Sequence, residues 1–245
     1  MSAPVRRILA SSGGFVPTDR WGVAVPGGIV QEALRRTGRD RPKVAFVLTA
    51  SGDDRTYLAR MYAAFRGWSV DLSHLELFVQ PNADPRELLL AQDLVWVGGG
   101  SVANLLAVWR VHGVDDVLRE AWAEGVLLAG VSAGSICWHV GGPTDSFGPT
   151  LEPVTDALAL LPYGNGVHYD SEPQRRPLLH RLVADGVLPT SYATDDGVGV
   201  LYEGTEAVAV VTDRAVDPVT GPAAYRVERG PDGTAVETRL PPGAL

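Results

Sequence analysis

Residues 126–139 read VLLAGVSAGSICWH, an apolar run that closes in Gly130-Val131-Ser132-Ala133-Gly134 and passes into a stretch of helical character. Val126–Val131 has the length and aliphatic content of a strand buried on both faces. A serine on a sharp strand-to-helix turn is lifted above the carboxyl edge of a parallel sheet, and small neighbours let the backbone turn without steric conflict. The next amide, that of Ala133, then stands at a helix N-terminus, where unpaired N–H groups and the helix dipole can stabilise a developing oxyanion. A plainer reading uses the same residues: glycines that permit close strand–helix packing, with Ser132 as an N-cap.

Outward from the elbow, strand and helix patterns alternate. Arg7–Ala10 is a short opening strand broken by Ser11-Ser12-Gly13-Gly14, and KVAFVLT at 43–49 is a second buried run. With Asp53 as N-cap, Tyr57, Leu58, Met61, Tyr62 and Phe65 mark one side of a helix that packs on the sheet. A strand over Leu75–Phe78, a helix over Pro85–Ala91 and a strand over Asp93–Val97 follow. Then come helices around Leu105, Leu106 and Trp109 and over Asp115–Ala123, the latter closed by Gly125. This order predicts an α/β fold: a mostly parallel, doubly wound sheet with helices on both faces. Beyond residue 190 the segments are short and alternating, and 224–229 pairs with 234–239 through Gly230-Pro231-Asp232-Gly233. They predict a small antiparallel C-terminal extension, about 203–245. Without repeats or a low-complexity linker, residues 1–245 read as one domain.

With 245 residues, 45% hydrophobic and 20% charged, the chain has the balance of an ordinary globular protein. Its net charge of −8 would repel a phosphate backbone, which disfavours nucleic acid and anionic membrane as partners and favours a small molecule or peptide. No apolar run reaches the roughly twenty residues of a membrane span, and the N-terminal MSAPVRRILASSGG lacks a signal-peptide core, so a cytoplasmic location is expected. The single cysteine, Cys137, can form neither an internal disulfide nor a cysteine-based metal site. A homo-oligomer is compatible with these features, which leave the oligomeric state open.

A second glycine loop, Gly98-Gly99-Gly100, also follows a strand and precedes a helix. It would open on the same sheet edge, where its amides could complete an oxyanion hole; a tight turn is the plainer reading. A phosphate loop is disfavoured because no Gly-Lys-Ser/Thr follows. A nucleophilic serine needs a base. His74 falls in a strand, His112 between helices, His139 beyond reach along the elbow helix, and His180 in a helix over 177–183. His168 is the remaining candidate, in the irregular segment LPYGNGVHYD at 161–170, where a structural hydrogen bond is its alternative role. Asp145, Asp170, Asp195 and Asp196 all lie in turn-like contexts, and each competes with a capping role for that of orienting acid. One of Asp195 and Asp196 could project onto the active edge.

These residues together resemble the peptidase E and cyanophycinase family of serine peptidases, whose fold is similar to class I glutamine amidotransferases. The resemblance is carried by Leu48–Asp53, Val97–Gly100 leading into Asn104-Leu105-Leu106, Gly130–Gly134, Thr144-Asp145 and the His168 segment. It implies a Ser132, His168, Asp196 triad, with Asp145 as the alternative orienting acid. It also implies an oxyanion hole from the amides of Gly100 and Ala133, and neither cofactor nor metal. Asn-Thr commonly follows the glycines in that family, where this chain has Ser101-Val102. Aspartyl dipeptidases of the family prefer an N-terminal aspartate, and Arg175 and Arg176, with Gly99 near the nucleophile, are the substrate contacts this would imply; a solvated surface role is the alternative for either arginine. The expected function is hydrolysis of small peptides by a dipeptidase or exopeptidase. Alternatives are a hydrolase of small esters or other amides with the same triad, and a non-catalytic binding protein on this fold. Glutamine amidotransfer is disfavoured because the elbow carries serine and Cys137 lies five residues farther on.

Overall fold

The computed structural model describes residues 4–20 and 22–245; residues 1–3 of the stretch read above for an export signal lie outside them. An eight-stranded sheet runs in the order Gly243–Ala244, Glu206–Thr212, Val198–Glu203, Arg7–Ser11, Leu127–Val131, Leu94–Val97, Lys43–Val47, Asp71–Leu75. The strands from Arg7–Ser11 to Asp71–Leu75 are parallel. The other three add antiparallel beside Arg7–Ser11.

The strand sequences explain this arrangement. Successive side chains of a strand point to opposite faces, and here both faces receive apolar groups. Ile8, Ala45, Val95 and Leu128 join one core cluster with Leu89, Leu105, Trp109 and Leu118 from the helices Pro85–Leu90, Val102–His112 and Val114–Ala123. Leu9, Phe46, Trp96 and Leu127 join the other with Ile29, Met61 and Phe65, from the helices Gly28–Arg36 and Arg55–Ala64 and the C-cap of the latter. This is the doubly wound α/β architecture expected from the sequence. Among the described residues no helix is long and apolar enough to cross a membrane.

Two elements depart from the sequence expectation. The helix cap is Asp54, whose side chain accepts from the Tyr57 amide, not Asp53. Asp53 has φ 55° and turns its carboxylate to the amides of Leu77 and Phe78. Those amides are therefore unavailable to a neighbouring strand, and the edge strand is Asp71–Leu75 instead of 75–78.

A second sheet holds Gly164–Gly166, Ser191–Thr194, Ala224–Arg229 and Ala235–Leu240. The first two are parallel and joined through the helix Arg175–Ala184, whose Leu179 and Val183 pack with Ala193 and Val227. The expected C-terminal hairpin is thus present, but its partner is this second sheet. Glu206–Thr212 and Gly243–Ala244 extend the central sheet instead.

Behind Lys43–Val47 a single turn, Thr49–Ser51, is tied to the helix Val102–His112 by a bond from Trp109 Nε1 to Thr49 Oγ1 of 3.1 Å, between two fully buried residues. The Ser101 amide also donates to the Ala50 carbonyl at 2.9 Å, so the Gly98–Gly100 loop is braced from behind. Replacing Thr49 by valine keeps the volume but strands the buried indole N–H. The expected loss is about 1–3 kcal/mol of unfolding free energy in urea titration with an unchanged m-value.

Candidate active site

Val97 pairs with Gly130 in the parallel ladder, which brings the Gly98–Gly100 loop beside the elbow. At Ser132 the backbone takes φ 57° and ψ −112°, a conformation that costs a non-glycine residue on the order of 1–3 kcal/mol. Its side chain makes no capping hydrogen bond, so the N-cap role is not what the serine performs. A Cβ on Gly134 would stand 2.3 Å from the Val97 carbonyl oxygen, so the turn admits only glycine there. A Cβ on Gly99 would lie 3.3 Å from Ser132 Cβ, which locates the loop against the serine. Gly100 has φ 136°, and a Cβ there would lie 2.2 Å from the Ala50 carbonyl oxygen. Among the described residues, the amides of Gly100 and Ala133 donate to no backbone carbonyl.

His168 follows the strand Gly164–Gly166, has φ 51°, and its Nδ1 lies 2.6 Å from Asp196 Oδ1. The Asp196 amide donates to Asp170 Oδ1 at 2.9 Å. Asp195 is buried, accepts from the Ala223 amide at 2.9 Å and the Tyr225 hydroxyl at 3.2 Å, and burial raises its carboxyl. Asp145 is exposed, and among the described residues its carboxylate makes no hydrogen bond, while its carbonyl accepts from Gly148.

The other histidines are committed elsewhere. His74 Nδ1 is 2.8 Å from the Tyr62 hydroxyl, His180 Nε2 is 2.8 Å from Glu237, and His112 ends a helix. His139 is fully buried, with Nδ1 2.9 Å from the Ser135 carbonyl. Of the two arginines, Arg175 is buried and donates to Glu172 and to the Pro143 carbonyl, both at 2.6 Å. Arg176 pairs with Glu237 at 3.2 Å. Cys137 is fully buried behind the elbow, and burial pushes its thiol well up.

The residues that draw these segments together are Ser11 and Ser12, which the sequence reading treats only as a strand breaker. The Ser11 carbonyl accepts the Ser132 amide at 3.0 Å. The Ser12 hydroxyl accepts the His168 amide at 3.0 Å and lies 2.7 Å from Thr194 Oγ1. The Ser12 carbonyl accepts the Gly197 amide at 3.0 Å. Two hydroxyl residues at the end of a buried strand, before two glycines, were the available signal. Beside them a cavity of about 350 Å³ is lined by Ser12, Phe15, Val16, Asp196, Arg214 and Pro222, among others. Among the described residues no group of three or more His, Cys, Asp and Glu side chains is placed to hold a metal.

Comparison with known proteins bears on this geometry. The model of peptidase family S51 matches residues 9–210. The uncharacterized peptidase YgaJ of Bacillus subtilis (strain 168) is 37% identical over 223 residues, covering 91% of this chain and 92% of that protein. Peptidase E of Streptomyces coelicolor is 32% identical over 133 residues, 54% of this chain and 53% of its own length. A crystal structure of a peptidase from an acI-B1 Actinobacterium has the same fold, with a TM-score of 0.67 at 15% identity over 98% of this chain and 96% of that one.

Two measurements test the local physics. Ser132→Gly relieves the strained backbone, and thermal or urea unfolding is expected to report a gain of about 1 kcal/mol despite the lost side chain. Burial holds the His139 imidazole down to about 4, against 6.5 ordinarily, with the Ser135 carbonyl opposing. The unfolded chain therefore binds the extra proton between those values, and stability falls as pH drops through that window. The loss amounts to about 3 kcal/mol below it. Wild-type unfolding free energy should decline more steeply than that of His139→Gln between pH 6.5 and 4.

Proposed function

The chain belongs to peptidase family S51 and is a serine-type peptidase, and from that premise we propose that it hydrolyses small peptides through an acyl-enzyme formed on Ser132. The observation that carries this reading is the 2.6 Å His168–Asp196 bond, made by segments anchored at the strand end that also accepts the Ser132 amide. Ser132 Oγ attacks the scissile carbonyl carbon as the His168 ring takes its proton. Asp196 fixes the imidazole with Nδ1–H directed at its carboxylate and stabilises the imidazolium. The amides of Gly100 and Ala133 donate to the oxyanion. Collapse of the tetrahedral intermediate breaks the C–N bond, His168 returns the proton to the leaving amine, and water repeats the sequence to release the acid.

A dipeptide or a peptide end is the substrate proposed; the cavity of about 350 Å³ is lined by Ser12 and Asp196 but by neither Ser132 nor His168, so the panel below decides the length of peptide accepted. A preference for an N-terminal aspartate would draw on Arg175 or Arg176. Both guanidinium groups already have protein carboxylate partners, so an acidic substrate would have to compete with Glu172 or Glu237.

Labelling with a fluorophosphonate, followed by a panel of dipeptides, Asp-Xaa peptides and small esters, tests the reading. Wild type should be labelled and cleave peptides, and Ser132→Ala should do neither; equal cleavage by both would assign the activity to another site. Asp196→Asn is expected to lower kcat by about 10²–10⁴-fold and Asp145→Asn by less than about tenfold. The reverse ranking would transfer the orienting role to Asp145.

A further inference from the structure

The residues that follow His168 and precede Asp196 in the chain converge on one ion pair contributed in part by the C-terminal hairpin. Tyr169, next to His168, donates its hydroxyl to Glu237 Oε2 at 2.8 Å. Asp195, next to Asp196, accepts from the Tyr225 hydroxyl at 3.2 Å. The Arg176 guanidinium lies over both tyrosine rings, 4.5 Å from each centroid, and pairs with Glu237 Oε1 at 3.2 Å. His180 Nε2, one helical turn on from Arg176, completes the shell of Glu237 at 2.8 Å. Four side chains thus address one carboxylate or its guanidinium partner, and both Glu237 and Tyr225 lie outside the residues that the family model matches.

We propose that Glu237 is a positioning residue: with Arg176 it clamps the Tyr169 segment to the Tyr225–Asp195 segment and so sets the geometry between His168 and Asp196. This rests on the reading of Ser132, His168 and Asp196 as the catalytic triad. The physical basis is that one guanidinium lies over two tilted rings whose centroids are 5.4 Å apart and pairs with the carboxylate that accepts the Tyr169 hydroxyl, so both tyrosines share one reference point. Neither Tyr169 nor Tyr225 can shift without breaking a contact to that pair. Because Asp196 is itself half exposed, with a side-chain exposure of 49%, little else packs its carboxylate in place. The hairpin is then part of the catalytic apparatus, although it contributes no reacting group.

The test uses the full chain and reads the His168–Asp196 bond in two ways. The first is the downfield Nδ1–H resonance of His168 in protein labelled with ¹⁵N-histidine, assigned by its loss in His168→Gln, which needs no substrate. The second is steady-state hydrolysis of the best peptide from the panel. Glu237→Ala and Tyr169→Phe are expected to abolish or shift the resonance upfield, and to lower kcat by about tenfold with KM changed less than about twofold. Asp232→Ala, at the hairpin tip, controls for loosening of the hairpin: it should lower Tm while leaving resonance and kcat intact. A resonance and kcat in folded Glu237→Ala equal to wild type would overturn the proposal, as would Asp232→Ala reproducing the loss. Should wild type prove inactive and unlabelled by fluorophosphonate, the catalytic reading fails on that result alone, and the resonance still decides whether Glu237 positions His168.

Discussion

The arrangement depends on where the first strand stops. Arg7–Ser11 lies between Leu127–Val131, which leads into Ser132 and is parallel to it, and Val198–Glu203, which is antiparallel. An antiparallel neighbour begins at the edge where the parallel strands end. The turn bearing Asp196 therefore arrives beside the elbow without a long connection. Ser11 and Ser12 complete the junction because each offers a backbone carbonyl and Ser12 adds a hydroxyl that can accept from one segment and donate to another. An alanine at position 12 would keep the carbonyl bond to Gly197 but leave the His168 amide without its acceptor.

Around that junction the backbone is held in conformations that residues other than glycine rarely adopt. Both Ser132 and His168 have positive φ, and the amides of both donate to the end of the first strand, to the Ser11 carbonyl and to the hydroxyl of Ser12, the residue that follows it. Such strain persists only where the surroundings over-determine it. Here the over-determination comes from the sheet: Gly134 fits against the Val97 carbonyl, and the Gly98–Gly100 loop is braced by Thr49 and Ala50. The nearby negative charge is distributed so that Asp196 meets the imidazole directly. Asp170 supports the Asp196 amide, and Asp195 is turned into the protein toward Ala223 and Tyr225.

Most of the central sheet was legible because its strands write their burial into continuous apolar runs, and because glycine and capping residues punctuate the helices. The edge strand was misplaced because the apolar LELF at 75–78 looks like a strand, whereas Asp53 takes the amides of Leu77 and Phe78. Phe15–Pro17 with Ala24–Pro26, and Gly142–Thr144 with Glu152–Val154, are too short and too rich in proline and glycine to leave a periodic trace. The hairpin 224–240 was visible from its turn, but a turn carries no information about which sheet receives it. For the site, the elbow serine announced itself through spacing, and His168 emerged by weighing histidines against their elements. Ser12 and Glu237 were silent: their roles are contacts across 156 residues to the His168 amide and 68 residues to the Tyr169 hydroxyl, and no local pattern encodes such distances.

The lone sulfur gives the molecule an internal clock. Cys137 is sealed behind the elbow, fully inaccessible and disfavoured as thiolate, so a water-borne alkylating reagent meets it only when the surrounding core opens. Since every chain carries a single such group, the kinetics of its modification track breathing of the scaffold directly beneath Ser132, with no second thiol to confuse the trace.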